Sequence, residues 1–220
     1  MKIQLKEVIK KYDGKAVLNG VNLSITEGEM IAITGPSGCG KSTLLNILGL
    51  ILEPTSGSYT INGVTNPRIY SKVSRYLRRE HIGYLFQNYG LIDDESVFWN
   101  LKLALNNNAS KGKSKKEKEK LIDDLLDEFG LLTLKNSKIY QLSGGEQQRI
   151  ALIRLMLHGS DLILADEPTG NLDQNNGRLI MDIFKKLKKE GKTIIIVTHD
   201  MNIANHCDRI LKLENGKLLQ

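Results

Sequence analysis

A glycine-rich segment that ends in a lysine and two hydroxyl residues carries the clearest chemistry in the sequence. It fits the pattern GxxxxGK[ST] from Gly35 to Ser42 at every required position. In such a loop, backbone N–H groups converge on a polyphosphate, Lys41 reaches the β- and γ-phosphate oxygens, and the Ser42 hydroxyl ligates Mg²⁺. We therefore predict a nucleoside triphosphate site whose contacts are Gly35, Ser37, Gly38, Cys39, Gly40, Lys41, Ser42 and Thr43.

Two adjacent carboxylates, Asp166 and Glu167, follow the apolar run from Leu162 to Ala165. Ligands of open α/β sheets collect beyond the carboxyl ends of the strands, so both side chains are expected beside the glycine-rich loop. Asp166 is predicted to hold Mg²⁺, and Glu167 is the candidate general base for a water that attacks the γ-phosphate. The alternative interpretation is a strand-end pair that serves only solvation or capping.

Short apolar segments supply the elements that would position these groups. Residues 30–34 are typical of a buried strand, and residues 44–48 continue the glycine-rich loop as an apolar helix. The runs at 162–165 and 193–198 are joined by an amphipathic helix at 178–190, which indicates parallel strands buried on both faces. A closing hairpin is predicted across Glu214-Asn215-Gly216.

The remaining segments divide into a strand-rich part and a helical part. Alternating runs at 3–9 and 21–25 predict antiparallel strands, the first with the pattern of an edge strand, and residues 58–63 predict a strand that enters a tight turn. From about residue 88 to 158 long helical patterns replace the strand signals. We therefore predict one domain over residues 1–220, with a nucleotide-binding core (1–87 and 159–220) and an inserted helical subdomain (88–158).

Composition and charge argue against several classes of protein for this chain. Two cysteines cannot form a disulfide framework, which favours a reducing compartment. The alternating N-terminus lacks the apolar block of a signal peptide, and no apolar run approaches the length of a membrane span. The net charge of +6 would suit nucleic acid, but most of it lies in the lysine-rich run 111–120, whose plainer interpretation is a solvated helix face or loop.

The segment from Leu142 to Arg149, with the sequence LSGGEQQR, decides the family to which the chain is compared. Ser143 and two glycines precede a predicted helix at 147–157, so free N–H groups and a positive helix end face an anion. The eight residues resemble the signature sequence of the ATP-binding cassette (ABC) family. The resemblance implies that Ser143, Gly144, Gly145 and Glu146 contact ATP held by the glycine-rich loop of another subunit.

Other positions match the family along the whole chain, and their roles are those that the resemblance implies. Tyr12 is similar to the aromatic residue that stacks on adenine, and Gln87 to the glutamine that touches Mg²⁺ or the attacking water. Asn171 and Asp173 resemble a loop that crosses the dimer interface, and His199 resembles the histidine that contacts the γ-phosphate. The implied fold is α/β, a P-loop NTPase (RecA-like) core of mostly parallel sheet with an antiparallel β subdomain and an inserted α-helical subdomain.

The resemblance also implies partners and a place of work. An ABC ATPase of this kind forms a homodimer around two ATP molecules with Mg²⁺ and powers a separate integral membrane permease. The permease would dock near Gln87 and the segment from Tyr89 to Trp99, which is predicted as loop, although its apolar residues could equally form core packing within the helical part. The protein would then be cytoplasmic and peripheral on the cytoplasmic face of the cell membrane, with no direct membrane insertion.

Several functions stay open within and beyond this family. The chain resembles the branch of lipoprotein release, macrolide or peptide efflux and the cell-division regulator, and residues 84–95 are similar to cassettes of bacteriocin export. Residues 96–100 depart from that pattern because they carry two aromatic residues, which puts the membrane partner in question. An ATPase that signals across the membrane without transport is the alternative. A cytosolic nucleic-acid ATPase is disfavoured, because such proteins carry two cassettes or a long coiled coil, and no nucleic-acid partner is expected.

Overall fold

The structure, a computed structural model, describes residues 1–105, 110–169 and 174–219. In chain order its strands and helices are β1 (Ile3–Tyr12), β2 (Lys15–Ile25), β3 (Met30–Thr34), α1 (Lys41–Leu48), β4 (Ser56–Ile61), β5 (Val64–Thr65), α2 (Lys72–Glu80), β6 (Ile82–Leu85), α3 (Val97–Ala104), α4 (Lys115–Glu128), α5 (Gly144–His158), β7 (Leu162–Asp166), α6 (Gln174–Lys189), β8 (Thr193–Val197), α7 (Met201–Ala204), β9 (Arg209–Glu214) and β10 (Lys217–Leu219).

A six-stranded sheet forms the centre of the molecule, in the order β10-β9-β3-β8-β7-β6. Its strands run parallel from β9 to β6, and β10 pairs antiparallel with β9 as the closing hairpin. Every residue of β3, β7 and β8 is buried. Their apolar side chains face helices on both sides, which is why these strands are continuous apolar runs without alternation.

A second, antiparallel sheet has the order β2-β1-β4-β5. The prediction of an edge strand at the N-terminus was wrong, because β1 pairs with β2 on one side and with β4 on the other. Alternation of apolar and polar residues reports that one face of a sheet meets water. It carries no information on whether a strand has one neighbour or two.

The helical part of the chain has its own apolar core. Residues of α3, α4 and α5 bury one cluster together, which includes Leu101, Leu126 and Ile153. The same helix α5 presents Ala151 and Leu155 to a second cluster on the central sheet. Because α5 is apolar on two faces, it joins the helical part to the sheet. The division into subdomains at residues 88 and 158 stays a prediction.

Two predicted boundaries near the site move. The segment 96–99, predicted as loop, contains the start of α3, where the Ser96 hydroxyl accepts a hydrogen bond from the Trp99 N–H. Helix α5 begins at Gly144, three residues before its predicted start, so Gly144 and Gly145 form its first turn. In the described parts of the chain, no helix combines the length and the apolar character that crossing a membrane requires.

Candidate active site

The glycine-rich loop connects β3 to α1, and two of its glycines are fixed by space. Gly35 has φ 148°, and a Cβ on it would lie 2.2 Å from the Leu213 carbonyl oxygen. Gly40 caps α1 with φ 104°, and a Cβ there would lie 3.0 Å from a methyl group of Val17. Side chains are therefore excluded where the main chain folds tightly against β9 and β2, as a loop that presents its N–H groups requires.

Lys41 begins α1 and is almost fully buried, with 8% of its surface exposed. Its Nζ donates hydrogen bonds to the carbonyl oxygens of Gly35 and Pro36, each at 2.9 Å. The ammonium group thus lies inside the curve of the loop that the sequence predicted to cradle phosphates. A cation at a helix N-terminus, among main-chain N–H groups, makes this position attractive to a polyphosphate.

Asp166 ends β7 and is buried beside the loop, with 8% of its surface exposed. Burial raises the pKa of this carboxyl group and the charge of Glu167 adds to the rise, whereas a hydrogen bond with Ser42 and the charge of Lys41 oppose it. Its Oδ1 atom is buried without a hydrogen-bond partner. An unsatisfied buried carboxylate oxygen next to a serine hydroxyl is a fitting donor set for Mg²⁺.

Glu167 and His199 meet at the ends of the neighbouring strands β7 and β8. Glu167 Oε2 lies 2.9 Å from His199 Nδ1 and accepts a weaker hydrogen bond from the His199 N–H at 3.4 Å. Glu167 has φ 47°, a left-handed conformation that is uncommon outside glycine, and its N–H donates to the Val197 carbonyl oxygen. The strained backbone and the histidine together fix the direction of this carboxylate.

One cavity of about 250 Å³ gathers the groups predicted from separate parts of the chain. Besides loop residues and Val17, it is lined by Gln87, Asp166 and Glu167. A neighbouring cavity of about 500 Å³ is lined by Gln87, Glu167 and His199 together with the loop and Lys41. The convergence follows from topology, because the carboxyl ends of β3, β6, β7 and β8 lie at one edge of the sheet.

The signature segment lies elsewhere in the fold. Ser143 caps α5 in a reciprocal capping box: its hydroxyl accepts from the Glu146 N–H, and the Ser143 N–H donates to Glu146 Oε2 at 2.8 Å. The Ser143 hydroxyl also donates to Glu146 Oε2 at 2.7 Å, and the two bonds that this carboxylate accepts, the one from the hydroxyl first, lower the pKa of Glu146. Neither cavity described above is lined by Ser143, Gly144 or Gly145.

The other predicted contacts differ in how they relate to the cavity. Ser37, Gly38, Ser42 and Thr43 line it. Cys39 is half-buried and packs against the apolar core, so its side chain serves packing here. Tyr12, at the end of β1, keeps 46% of its surface exposed, with Lys10 Nζ 5.2 Å from its ring centre. Asn171 and Asp173 lie outside the described residues.

Two further residues near the site were missed by sequence reasoning. Val17 of β2 lines the cavity, and the buried Gln148 of α5 donates to the carbonyl oxygen of Pro168, just after the carboxylate pair. An aliphatic residue in an alternating strand and a glutamine inside a helix have no distinguishing pattern. Only the packing of distant segments brings either residue to the site.

Comparison with known proteins identifies the fold and the family. A family profile described as ABC transporter matches residues 18–170. The chain belongs to the ABC transporter family. Two solved structures of the ATP-binding cassette MJ0796, both dimeric, superpose on this ABC cassette with TM-scores of 0.90 and 0.89 at 36% and 38% identity. Each comparison covers 99% of this chain and 97% of the solved chain, and the first structure is bound to ADP and Pi.

A curated relative is longer than this ABC cassette. The macrolide export ATP-binding/permease protein MacB of Shewanella sp. (strain ANA-3) is 44% identical over 203 residues. The match covers 92% of this chain but 30% of that relative, so the chain spans under a third of its length. The predictions of a P-loop NTPase fold and of an ABC ATPase are confirmed, and the chain is an ATP-hydrolysing cassette.

Proposed function

We propose that this chain is the ATP-binding and ATP-hydrolysing cassette of an exporter, which pairs with a second copy around two ATP molecules to drive a membrane permease. The convergence of Lys41, Gln87, Asp166 and Glu167 on one cavity of about 250 Å³ carries the proposal. It brings a phosphate-binding loop, a donor set for a cation and a base within one space. ATP hydrolysis needs these three components together.

Residues of the loop, of β1 and β7 and of the turn after β6 bind the nucleotide and its cation in this proposal. Loop N–H groups and Lys41 hold the β- and γ-phosphates, and Tyr12 stacks on the adenine. Ser42, Asp166 and Gln87 would hold Mg²⁺, which when bound neutralises phosphate charge. The unpartnered Oδ1 of Asp166 supports this assignment, because a buried carboxylate oxygen without a donor gains a partner from a cation.

Glu167 acts as the general base in the proposed reaction. It takes a proton from the water that attacks the γ-phosphate, and a proton on His199 Nδ1 orients the carboxylate through their 2.9 Å contact. Gln87 and His199 line the neighbouring cavity of about 500 Å³ with Glu167. They are therefore positioned to orient the attacking water and to contact the γ-phosphate.

A second copy completes the site. The exposed N-terminal turn of α5, with Ser143, Gly144 and Gly145, does not line the cavities of its own chain and is free to face the γ-phosphate held by a partner. Glu146 keeps that turn in shape through the capping box, and Asn171 and Asp173 cross the interface. Both solved MJ0796 cassettes are dimeric, which supports a homodimer, and the arrangement that we propose for its two copies is head to tail.

The work of the cassette is directed to a membrane permease. The macrolide export relative combines an ATP-binding part with a permease, which supports a permease partner and a location on the cytoplasmic face of the membrane. We assign the docking site to the surface near Gln87 and the segment from Tyr89 to Trp99. Export of a peptide, an antimicrobial compound or a lipoprotein is the proposed task.

The charge-neutral variant Glu167→Gln tests this function. It is expected to bind ATP with unchanged affinity, to lose turnover by at least about 100-fold, and to form a stable dimer with ATP but not with ADP. Turnover and mass in solution are measured with and without nucleotide. Lys41→Ala serves as the binding-deficient control and should form no dimer, while Glu128→Gln should behave as wild type. Turnover of Glu167→Gln near the wild-type rate would exclude Glu167 as the base.

A further inference from the structure

Arg154 links the signature helix to the turn that carries Gln87. It lies eleven positions after Ser143 on α5, about 16 Å along a helix that rises 1.5 Å per residue. Its Nη1 donates to the Gly90 carbonyl oxygen at 2.6 Å and its Nη2 to the Tyr89 carbonyl oxygen at 2.8 Å. Burial lowers the pKa of the guanidinium group, so two short charge-assisted bonds lie in a partly dehydrated place.

The acceptors belong to a tight turn, residues 86–90, which follows β6. Tyr89 and Gly90 are both left-handed, with φ 62° and 59°. The Tyr89 N–H donates to the Phe86 carbonyl oxygen at 2.9 Å, and a Cβ on Gly90 would lie 2.7 Å from the Phe86 ring. A non-glycine residue in this conformation needs support from its surroundings. The paired hydrogen bonds from Arg154 supply that support.

The turn reaches from the nucleotide cavity to the start of α5. Gln87 lines both cavities beside Lys41 and Glu167. Two residues later, the Tyr89 hydroxyl approaches the first turn of α5, since a Cβ on Gly144 would lie 3.7 Å from it. Arg154 therefore holds the main chain of residues 86–90. Within this segment, Gln87 faces the nucleotide cavity of its own chain, and Tyr89 faces the first turn of α5, which in our proposal meets the ATP of the partner.

We propose that Arg154 is a positioning residue that couples the position of Gln87 to the position of the signature turn, residues 143–145. When the partner's phosphate binds at Ser143 and α5 shifts, the 86–90 turn shifts with α5, because the planar guanidinium group of Arg154 donates to two successive carbonyl groups of that turn. Engagement of one copy's signature turn is thereby reported to the cation and water side of that copy's own ATP. This inference rests on the proposed function, which supplies the role of Gln87.

A double-mutant cycle between Arg154→Met and Gln87→Ala tests the link in the full chain. Arg154→Met is expected to lower kcat about tenfold, within the range of coupling between sites, with ATP affinity changed less than about twofold. Because Arg154 acts through Gln87, the kcat of the double variant should be at most about twofold lower than the kcat of Gln87→Ala alone. Arg178→Met, on the exposed side of α6, is the matched control and should keep the wild-type kcat.

Two results would overturn the proposal: additive losses in the cycle, or a loss of ATP affinity in Arg154→Met as large as the loss in kcat. Amide hydrogen exchange of residues 86–90 gives a readout that does not depend on turnover, and Arg154→Met should exchange faster there while β3 keeps its protection. If the methionine variant does not fold, Arg154→Lys replaces it in the cycle, since it keeps the charge but not the paired planar donors. The dimer of Glu167→Gln with ATP tests the cassette function separately.

Discussion

The carboxylate of Asp166 is buried and one of its oxygen atoms has no hydrogen-bond partner, a combination that would be unfavourable in a residue with a purely structural role. Its surface is 8% exposed, and its Oδ1 atom has no hydrogen-bond partner, so the ionised form is held at a cost in stability. Lys41 and Ser42 offset part of that cost by charge and hydrogen bonding. Such a group gains most from a bound cation, and a protein that keeps it trades stability for function.

The direction of the Asp166 pKa predicts how stability depends on pH. A raised pKa means that the fold favours the protonated form of Asp166. The contribution of this group to the free energy of unfolding is therefore highest below the unfolded pKa of about 4, where the group is protonated, and it falls as pH rises through the raised value. Without Mg²⁺ or nucleotide, Asp166→Asn should therefore match wild type near pH 4. It should exceed wild type near pH 7 by about 1 kcal/mol, or about 2–4 °C in Tm.

Thermal unfolding in a chelator across this pH range measures the difference. With Mg²⁺ and ATP added, wild type should gain more stability than Asp166→Asn, because only wild type keeps the carboxylate that we assign to the metal. A lower Tm for Asp166→Asn at pH 7 in the chelator would contradict the destabilising role given to the buried charge.

At the scale of elements, helices α4 and α5 begin with the same kind of N-terminal capping box, but the two helix starts lie in different surroundings. Helix α4 has a capping box of Ser114 and Glu117, and α5 has one of Ser143 and Glu146. In both boxes hydrogen bonds from the capping serine lower the pKa of the glutamate. The local chemistry is the same, so any difference between the two serines in function must come from what each helix start faces.

The two caps form a matched pair of variants. Ser143→Ala and Ser114→Ala should each cost about 1 kcal/mol of unfolding free energy, the usual value of a lost N-cap. In the Glu167→Gln background only Ser143→Ala should weaken the ATP-dependent dimer, because in our proposal that hydroxyl also meets the partner's phosphate. Unfolding curves and sedimentation measure the two effects. Equal dimerisation in both variants would remove Ser143 from the interface.

At the scale of the whole molecule, the face of α3 that does not join the helical core is apolar and exposed. Val97 is buried, whereas Trp99 and Leu103, one turn apart, keep 37% and 43% of their surfaces exposed. Asn100 is buried between them and fixes the preceding loop, since its side chain bonds both the N–H and the carbonyl oxygen of Ile92. The two predicted interpretations of this segment thus apply to different residues: core packing and an exposed apolar surface.

We expect Trp99→Ala to weaken association with the proposed membrane permease by about 30-fold, the size of an interface hot spot, and to leave ATP affinity unchanged. The measurement is co-purification with the permease, followed by titration of the cassette. Ile210→Ala, which removes a residue of similar exposure on β9, is the control. Unchanged co-purification of Trp99→Ala would assign the docking surface to other residues.

Much of the site could be predicted because its residues lie in continuous segments. The loop 35–43 and the pair Asp166 and Glu167 have fixed local spacings, and the rule that ligands collect at strand ends places them together. The parallel strands β7 and β8 were recognised for the same reason, as continuous apolar runs. Val17, Gln148 and Arg154 could not be recognised, because each acts through a partner distant in sequence.

The chemistry that we propose for this protein could be read from short segments of the chain, because backbone-cradled phosphates and paired carboxylates require particular residue types at short, fixed distances. The internal position of β1, and the packing of the signature helix against both the helical core and the sheet, emerged only from the folded structure. It also decided that Arg154 binds the turn beside Gln87. These are relations between surfaces, and a surface forms only when distant segments pack together.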